Sequence, residues 1–191
     1  DSSISANVRV KIIIPTNYPN QTWVYWDNDN YRSASDGISA NFAVTGTPLA
    51  YASLPGSGTA TYTGGMEGFF SNSSSAYNTY NGTLSGTSNF SVNYGAETIS
   101  GSFTNITETI GSSTNSFNNL TMPSTSIGSS SYGNYASFEG DLQGTGFTTN
   151  IYNAIHGVFF GSSAESIGGT WDIQNNGATG SDAGYFAAKK N

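Results

Sequence analysis

The stretch Phe90-Ser-Val-Asn-Tyr94-Gly-Ala-Glu-Thr-Ile99-Ser-Gly101-Ser-Phe103 decides the fold class. Phe90, Val92 and Tyr94 alternate with Ser91 and Asn93, while Ile99, Gly101 and Phe103 alternate with Ser100, Ser102 and Thr104. A two-residue period packs one set of side chains and wets the other, the pattern of half-buried strands. Tyr94-Gly-Ala-Glu97 between them has the length of a hairpin connector. No window carries a sustained 3.6-residue period, and Leu is scarce. The chain is expected to be all-β.

Working outward from this hairpin, residues 59–70, 82–94, 97–107, 116–122, 136–147, 150–161, 166–174 and 183–190 form eight strand candidates. The longest separators, 71–81, 110–115 and 123–134, are polar. Eight sequential strands with local turns favour an eight-stranded antiparallel up-and-down β-barrel, because closure removes both exposed edges. A two-sheet sandwich is the competing architecture. Glycines inside the segments, among them Gly64, Gly101, Gly157, Gly168 and Gly169, permit the curvature a barrel needs. At that strand number the interior is filled by side chains or holds one small ligand. Ahead of the series, 8–14, 21–26 and 41–45 are shorter strand candidates, and Pro48 and Pro55 bracket a linker-like stretch. The expected organisation is a small N-terminal β-rich appendage or ligand clamp over residues 1–54 and the barrel over 55–191.

Composition narrows the function. The 191 residues carry a net charge of −7, yet only 9% are charged. Lys and Arg number five, and none lies between residues 33 and 188. A nucleic-acid binder needs several cations to displace phosphate counterions, so nucleic acid is excluded as a partner. An anionic membrane surface is disfavoured for the same reason. No run approaches the 18 or so apolar residues of a spanning helix. Asp1-Ser-Ser has no basic or apolar leader character, so an export signal is expected to have been removed already. Zero cysteines remove disulfides, thiol catalysis and Cys-based zinc sites together. Tyr 12, Phe 11 and Trp 3, spread along the chain, set it apart from disordered polar sequences.

The last two segments carry a distinctive pattern. Ile155-His-Gly157-Val-Phe159-Phe160-Gly161-Ser-Ser-Ala164-Glu165-Ser-Ile167-Gly168-Gly169-Thr-Trp171 is followed by Ala183-Gly-Tyr-Phe186-Ala187-Ala188-Lys189-Lys190. Together they resemble the C-terminal barrel of the transferrin-binding protein B-like family, which includes factor H binding protein and the secreted haem-binding hemophilins. Gly58-Thr-Ala-Thr-Tyr62-Thr-Gly64 and the Phe90–Phe103 stretch resemble the family's early strands, so the resemblance covers about residues 56–191. Ser162 departs from the family, which often has Pro at that turn. The motif also has a structural reading of its own. Glu165 is placed to accept hydrogen bonds from turn N–H groups, Ala164 is small enough to sit beneath the turn, and Gly168-Gly169 lets the backbone curl.

Candidate chemistry is sparse. His156 is the only histidine, and it is a haem-iron or metal ligand, a general base, or a quiet strand residue beside Val158 and Phe160. One His without Cys cannot build a multi-His metal site. No G-x-S-x-G motif occurs, and Glu67, Glu108, Glu139 and Asp141 default to solvated carboxylates, so no enzyme is expected. Asp27-Asn-Asp-Asn-Tyr31 opens like a calcium loop but has Tyr at the third ligand position and no Glu at the twelfth. The six N-x-S/T triplets are expected by chance in so Asn- and Ser-rich a chain. Trp23, Tyr25, Trp26 and Tyr31, with Tyr18, form the strongest binding candidate. Exposed aromatics are rigid anchors for recognition, and the alternative is that they form the appendage's own core.

The resemblance implies a non-enzymatic bacterial binding protein, secreted or on the outer-membrane surface of a Gram-negative cell. Its role would be iron or haem acquisition, with hand-off to a TonB-dependent outer-membrane receptor. Haem is the possible cofactor, held by His156 or by a tyrosinate from Tyr25 or Tyr31. The competing role is a host-protein-binding adhesion or immune-evasion module with no small-molecule ligand. A third reading makes the chain the C-terminal piece of a larger lipoprotein, with a lipidated Cys upstream of Asp1.

Overall fold

The computed structural model describes residues 8–13, 21–28, 40–70, 82–131, 133–144, 153–174 and 181–191. Among these, strands dominate and the single helical element is a 3-10 turn at Tyr51–Ser53. A three-stranded antiparallel sheet comes first: β1 (Val8–Ile13), β2 (Gln21–Asn28) and β3 (Ala40–Gly46), with β2 in the centre.

The barrel follows. Its eight staves are β4 (Thr59–Phe70), β5 (Gly82–Asn93), β6 (Thr98–Ile110), β8 (Leu120–Ser129), β9 (Ala136–Asp141), β11 (Ala154–Phe160), β12 (Ser166–Gln174) and β13 (Ser181–Lys190). Each pairs antiparallel with its sequence neighbour among the staves, and β13 closes on β4 through Ala183↔Phe69 to Lys190↔Tyr62. Two short strands decorate this cylinder: β7 (Ser113–Ser116) folds back on the end of β6, and β10 (Gln143–Gly144) pairs with β8. The up-and-down barrel expected from the sequence is therefore present, and closure leaves its staves no open edge.

The interior is filled by aromatic rings set against glycine. Phe90 stands opposite Gly101, Phe138 opposite Gly157 and Trp171 opposite Gly184 on the neighbouring stave. A Cβ on Gly101 would fall 2.3 Å from the Phe90 ring, and one on Gly157 would fall 2.2 Å from Phe138. Each ring thus lies over the backbone gap of its partner, which lets large side chains fit inside a narrow barrel. Phe90 and Phe186 pack with ring centroids 5.1 Å apart, and Phe103, Phe138 and Phe159 extend the same cluster. Such ring pairs add about 0.5–1.5 kcal/mol each beyond area burial.

Two expectations from the sequence change. The fourth stave runs over Leu120–Ser129, not 116–122, and most of the polar stretch 123–134 belongs to it. Pro123 would break a regular ladder. Here β6 and β8 pair as Ile99↔Thr125 and then Gly101↔Met122, so Pro123 and Ser124 together oppose Ser100 in a bulge. A bulge is where a missing N–H does no harm. The stretch bracketed by Pro48 and Pro55 is also not a free linker. Leu49 donates its N–H to Phe159 O and accepts from Ala136 N, both at 2.8 Å, so it wedges between β11 and β9 where these staves part at the rim. Its side chain is 3% exposed and joins the core, with Tyr51 and Leu54 packed against it.

Candidate functional site

The turn between β11 and β12 behaves as its sequence suggests. Ser163 N and Ser162 Oγ donate to the two oxygens of Glu165, at 3.1 and 3.3 Å. These bonds, led by the backbone one, hold the Glu165 carboxyl below its ordinary range. Ala164 is fully buried with φ +56, and its carbonyl accepts a hydrogen bond from Tyr62 Oη. These contacts organise the turn.

Gly168 and Gly169 point opposite ways and do different work. A Cβ on Gly169 would lie 1.8 Å from His156 O, inside the ladder. A Cβ on Gly168 would lie 2.7 Å from Gln21 Oε1 and 2.9 Å from Val44 Cγ1. Gly168 is therefore the place where β2 and β3 of the appended sheet rest on the outer barrel face. Gln21, itself buried, locks that contact by donating Nε2 to Ile167 O at 3.0 Å.

Beside this contact a trough of about 700 Å3 opens along the barrel exterior. Its floor is one row in register across four staves: Gly168 faces Val158, Val158 faces Ser137, and Ser137 faces Gly128. The next row, Thr170, His156 and Glu139, forms a taller wall. Ala43 and Val44 of β3 close the end near Gly168, while Ser129, Ser130, Ser131 and Tyr135 bound the far end. His156 Nδ1 is 3.7 Å from Glu139 Oε2, and these side chains are 52% and 75% exposed. Asp172 lies within electrostatic reach of His156, and burial raises its carboxyl above the ordinary range against the opposing pull of the imidazole. Among the described residues no Lys or Arg lines the trough.

The predicted site residues are distributed as follows. His156 stands on the trough wall. Trp23, Tyr25 and Trp26 lie on β2, in register with Ile13, Lys11 and Val10 on one side and Val44, Phe42 and Asn41 on the other. Tyr31 lies outside the described residues. No group of three or more His, Cys, Asp or Glu side chains among the described residues is arranged to hold a metal ion. Among the described residues no helix is long and apolar enough to cross a membrane. Sequence reasoning missed the floor row entirely, since Gly168, Val158, Ser137 and Gly128 come from four strands and share no local pattern.

Known proteins share this architecture. The family described as the C-lobe and N-lobe β-barrels of Tf-binding protein B matches residues 54–190. A tryptophan-to-alanine mutant of the vaccine antigen transferrin binding protein B from Haemophilus parasuis Hp5 aligns with a TM-score of 0.60 at 14% identity, covering 97% of this chain and 38% of that one. Isotype 1 transferrin binding protein B from serogroup B Neisseria meningitidis gives 0.54 at 18% identity, covering 95% and 35%. A phenylalanine-to-alanine mutant of the Actinobacillus pleuropneumoniae H49 protein gives 0.53 at 16% identity, covering 99% and 83%. The chain thus spans little more than a third of the first two structures, and at these identities the likeness is one of fold. No curated protein matches the sequence.

Proposed function

The chain belongs to the family of transferrin-binding protein B lobe barrels, and from that premise we propose that it is a bacterial binding module for iron acquisition. It works without enzymatic chemistry, on the outer-membrane surface or secreted from a Gram-negative cell. It captures an iron-carrying host protein and passes the cargo to a TonB-dependent receptor. One observation carries this reading. The structural match covers 97% of the chain, so it reaches past the barrel into the appended sheet. The likeness is one of fold and takes in the appended sheet as well as the barrel.

A haem-capturing version of the same role keeps His156, Trp23, Tyr25, Trp26 and Tyr31 as contacts. His156 on a trough of about 700 Å3 speaks for it. Against it, haem propionates call for cations, and the described lining of this trough offers the Glu139 carboxylate instead. A protein ligand is the better fit.

The test is biolayer interferometry with the immobilised full chain against iron-loaded and iron-free transferrins from several mammals, with serum albumin as control. Saturable binding of at least one iron-loaded transferrin is expected. Absence of any transferrin binding, with a one-to-one Soret band on haem titration, would replace this reading by the haem version. Absence of both leaves the host-adhesion role.

A further inference from the structure

The trough beneath β3 has a shape and a charge that select an occupant. Val44 covers the Gly168 end, so the open floor runs from Val158 to Gly128 over two inter-strand spacings, roughly 10 Å, which matches about three residues of extended chain. Ser137 and Gly128 keep that floor low, and a Cβ on Gly128 would meet nothing within 4 Å. The hydroxyls of Ser126, Ser129, Ser137 and Thr170 line it. Hydroxyls both donate and accept, so they suit the alternating N–H and C=O groups of a peptide backbone.

Charge sets the sign of the guest. Glu139, the carboxylate of the lining, projects into solvent from the wall. An anionic guest would face this carboxylate, and among the described residues no Lys or Arg lines the trough to offset it. A guest cation gains from Glu139, modestly because that side chain is exposed. The geometry points to the trough as the docking site for an extended segment of the captured protein carrying a Lys or Arg side chain. Its backbone lies along the Val158, Ser137 and Gly128 row, ending against Val44 where that side chain covers Gly168, and its cation meets Glu139. This assignment rests on the reading of the chain as a protein-capturing lobe, and it names the face and the chemistry of the contact.

The test uses the full 15N-labelled chain and an acetylated, amidated hexapeptide, Ser-Val-Lys-Val-Gly-Ser, followed by amide shifts. Saturable shifts centred on Gly128, Ser137, Glu139, Val158 and Gly168 are expected. Glu139→Gln should weaken binding about two- to fivefold, the range of an exposed ion pair. Gly128→Trp fills the floor and should abolish binding while leaving the thermal midpoint near wild type. The inference is overturned by equal binding of the peptide with Glu in place of Lys, by tighter binding of maltohexaose at the same residues, by indifference to Gly128→Trp, or by no binding. Iron-loaded transferrin that binds wild type and Gly128→Trp equally also overturns it, while sparing the proposed function. Loss of transferrin binding altogether, with the lysine peptide still seated in the trough, removes the functional reading and leaves the peptide specificity standing.

Discussion

The hydroxyls of Tyr62 and Tyr94, 32 residues apart in sequence, meet at 2.6 Å in the barrel interior. Tyr62 also donates to Ala164 O at 2.8 Å, so Tyr94 is the donor of the shared bond. One buried oxygen thereby ties β4 to the β5–β6 turn and to the β11–β12 turn. Replacing Tyr62 by Phe strands two buried polar groups and should cost about 1–3 kcal/mol in urea unfolding at pH 7.

The same residue predicts an alkaline limit. Burial, then the Tyr94 hydrogen bond, pushes the Tyr62 ionisation well above that of a free tyrosine, and burial together with Glu67 does the same for Tyr185. Above the ordinary tyrosine range, near pH 10, the unfolded chain loses these protons while the folded chain keeps them. Stability is therefore full below pH 10 and should fall as the pH rises beyond it. Tyr62→Phe should show a shallower fall over that window in pH-dependent urea midpoints.

Neighbouring glycines should fail differently. Gly169→Ala drives a Cβ into His156 O, so it should lower the global melting temperature by several degrees. Gly168→Ala presses on Gln21 and Val44 of the appended sheet, leaving the barrel ladder intact. Limited proteolysis should then release the N-terminal segment from Gly168→Ala at a melting temperature close to wild type.

Leu49 is expected to act as a core residue. Leu49→Ala empties a buried site between β9 and β11 and should cost about 2–5 kcal/mol by chemical unfolding. Hydrogen exchange should speed up most at Ala136 N and Leu49 N, the two amides of the wedge.

The Glu165 turn should be acid-sensitive. Its folded carboxyl titrates below the unfolded value, so its contribution is present above the ordinary carboxylate range and is lost as pH falls through the folded value. Glu165→Gln should remove that dependence, read as a flatter acid limb for the Ser163 amide shift. A Ser163 shift that titrates identically in the variant would contradict the assignment.

Much of the barrel was legible because its cause is local. Alternation in 82–94 and 97–107, and the sharp bounds of 166–174, need only the pleat to be read. The stave at Leu120–Ser129 was not legible, since Pro123 signals a break until the bulge opposite Ser100 is known. Leu49 likewise reads as linker, since its partners Phe159 and Ala136 are about a hundred residues away. At the candidate site, His156 stood out by composition alone, whereas its partner Glu139 looked like any solvated carboxylate.

The amino-acid order by itself determined an all-β chain, eight staves in succession, a carboxylate-latched turn at Glu165 and a surface nearly free of cations. Each follows from near neighbours or from composition, so no fold is needed to read it. Only tertiary structure decided that Gly168 is a seat for the appended sheet, that Leu49 plugs the rim, and that Gly168, Val158, Ser137 and Gly128 share a row. Those facts depend on inter-strand register, and register is set by bulges and barrel closure acting on all the staves at once.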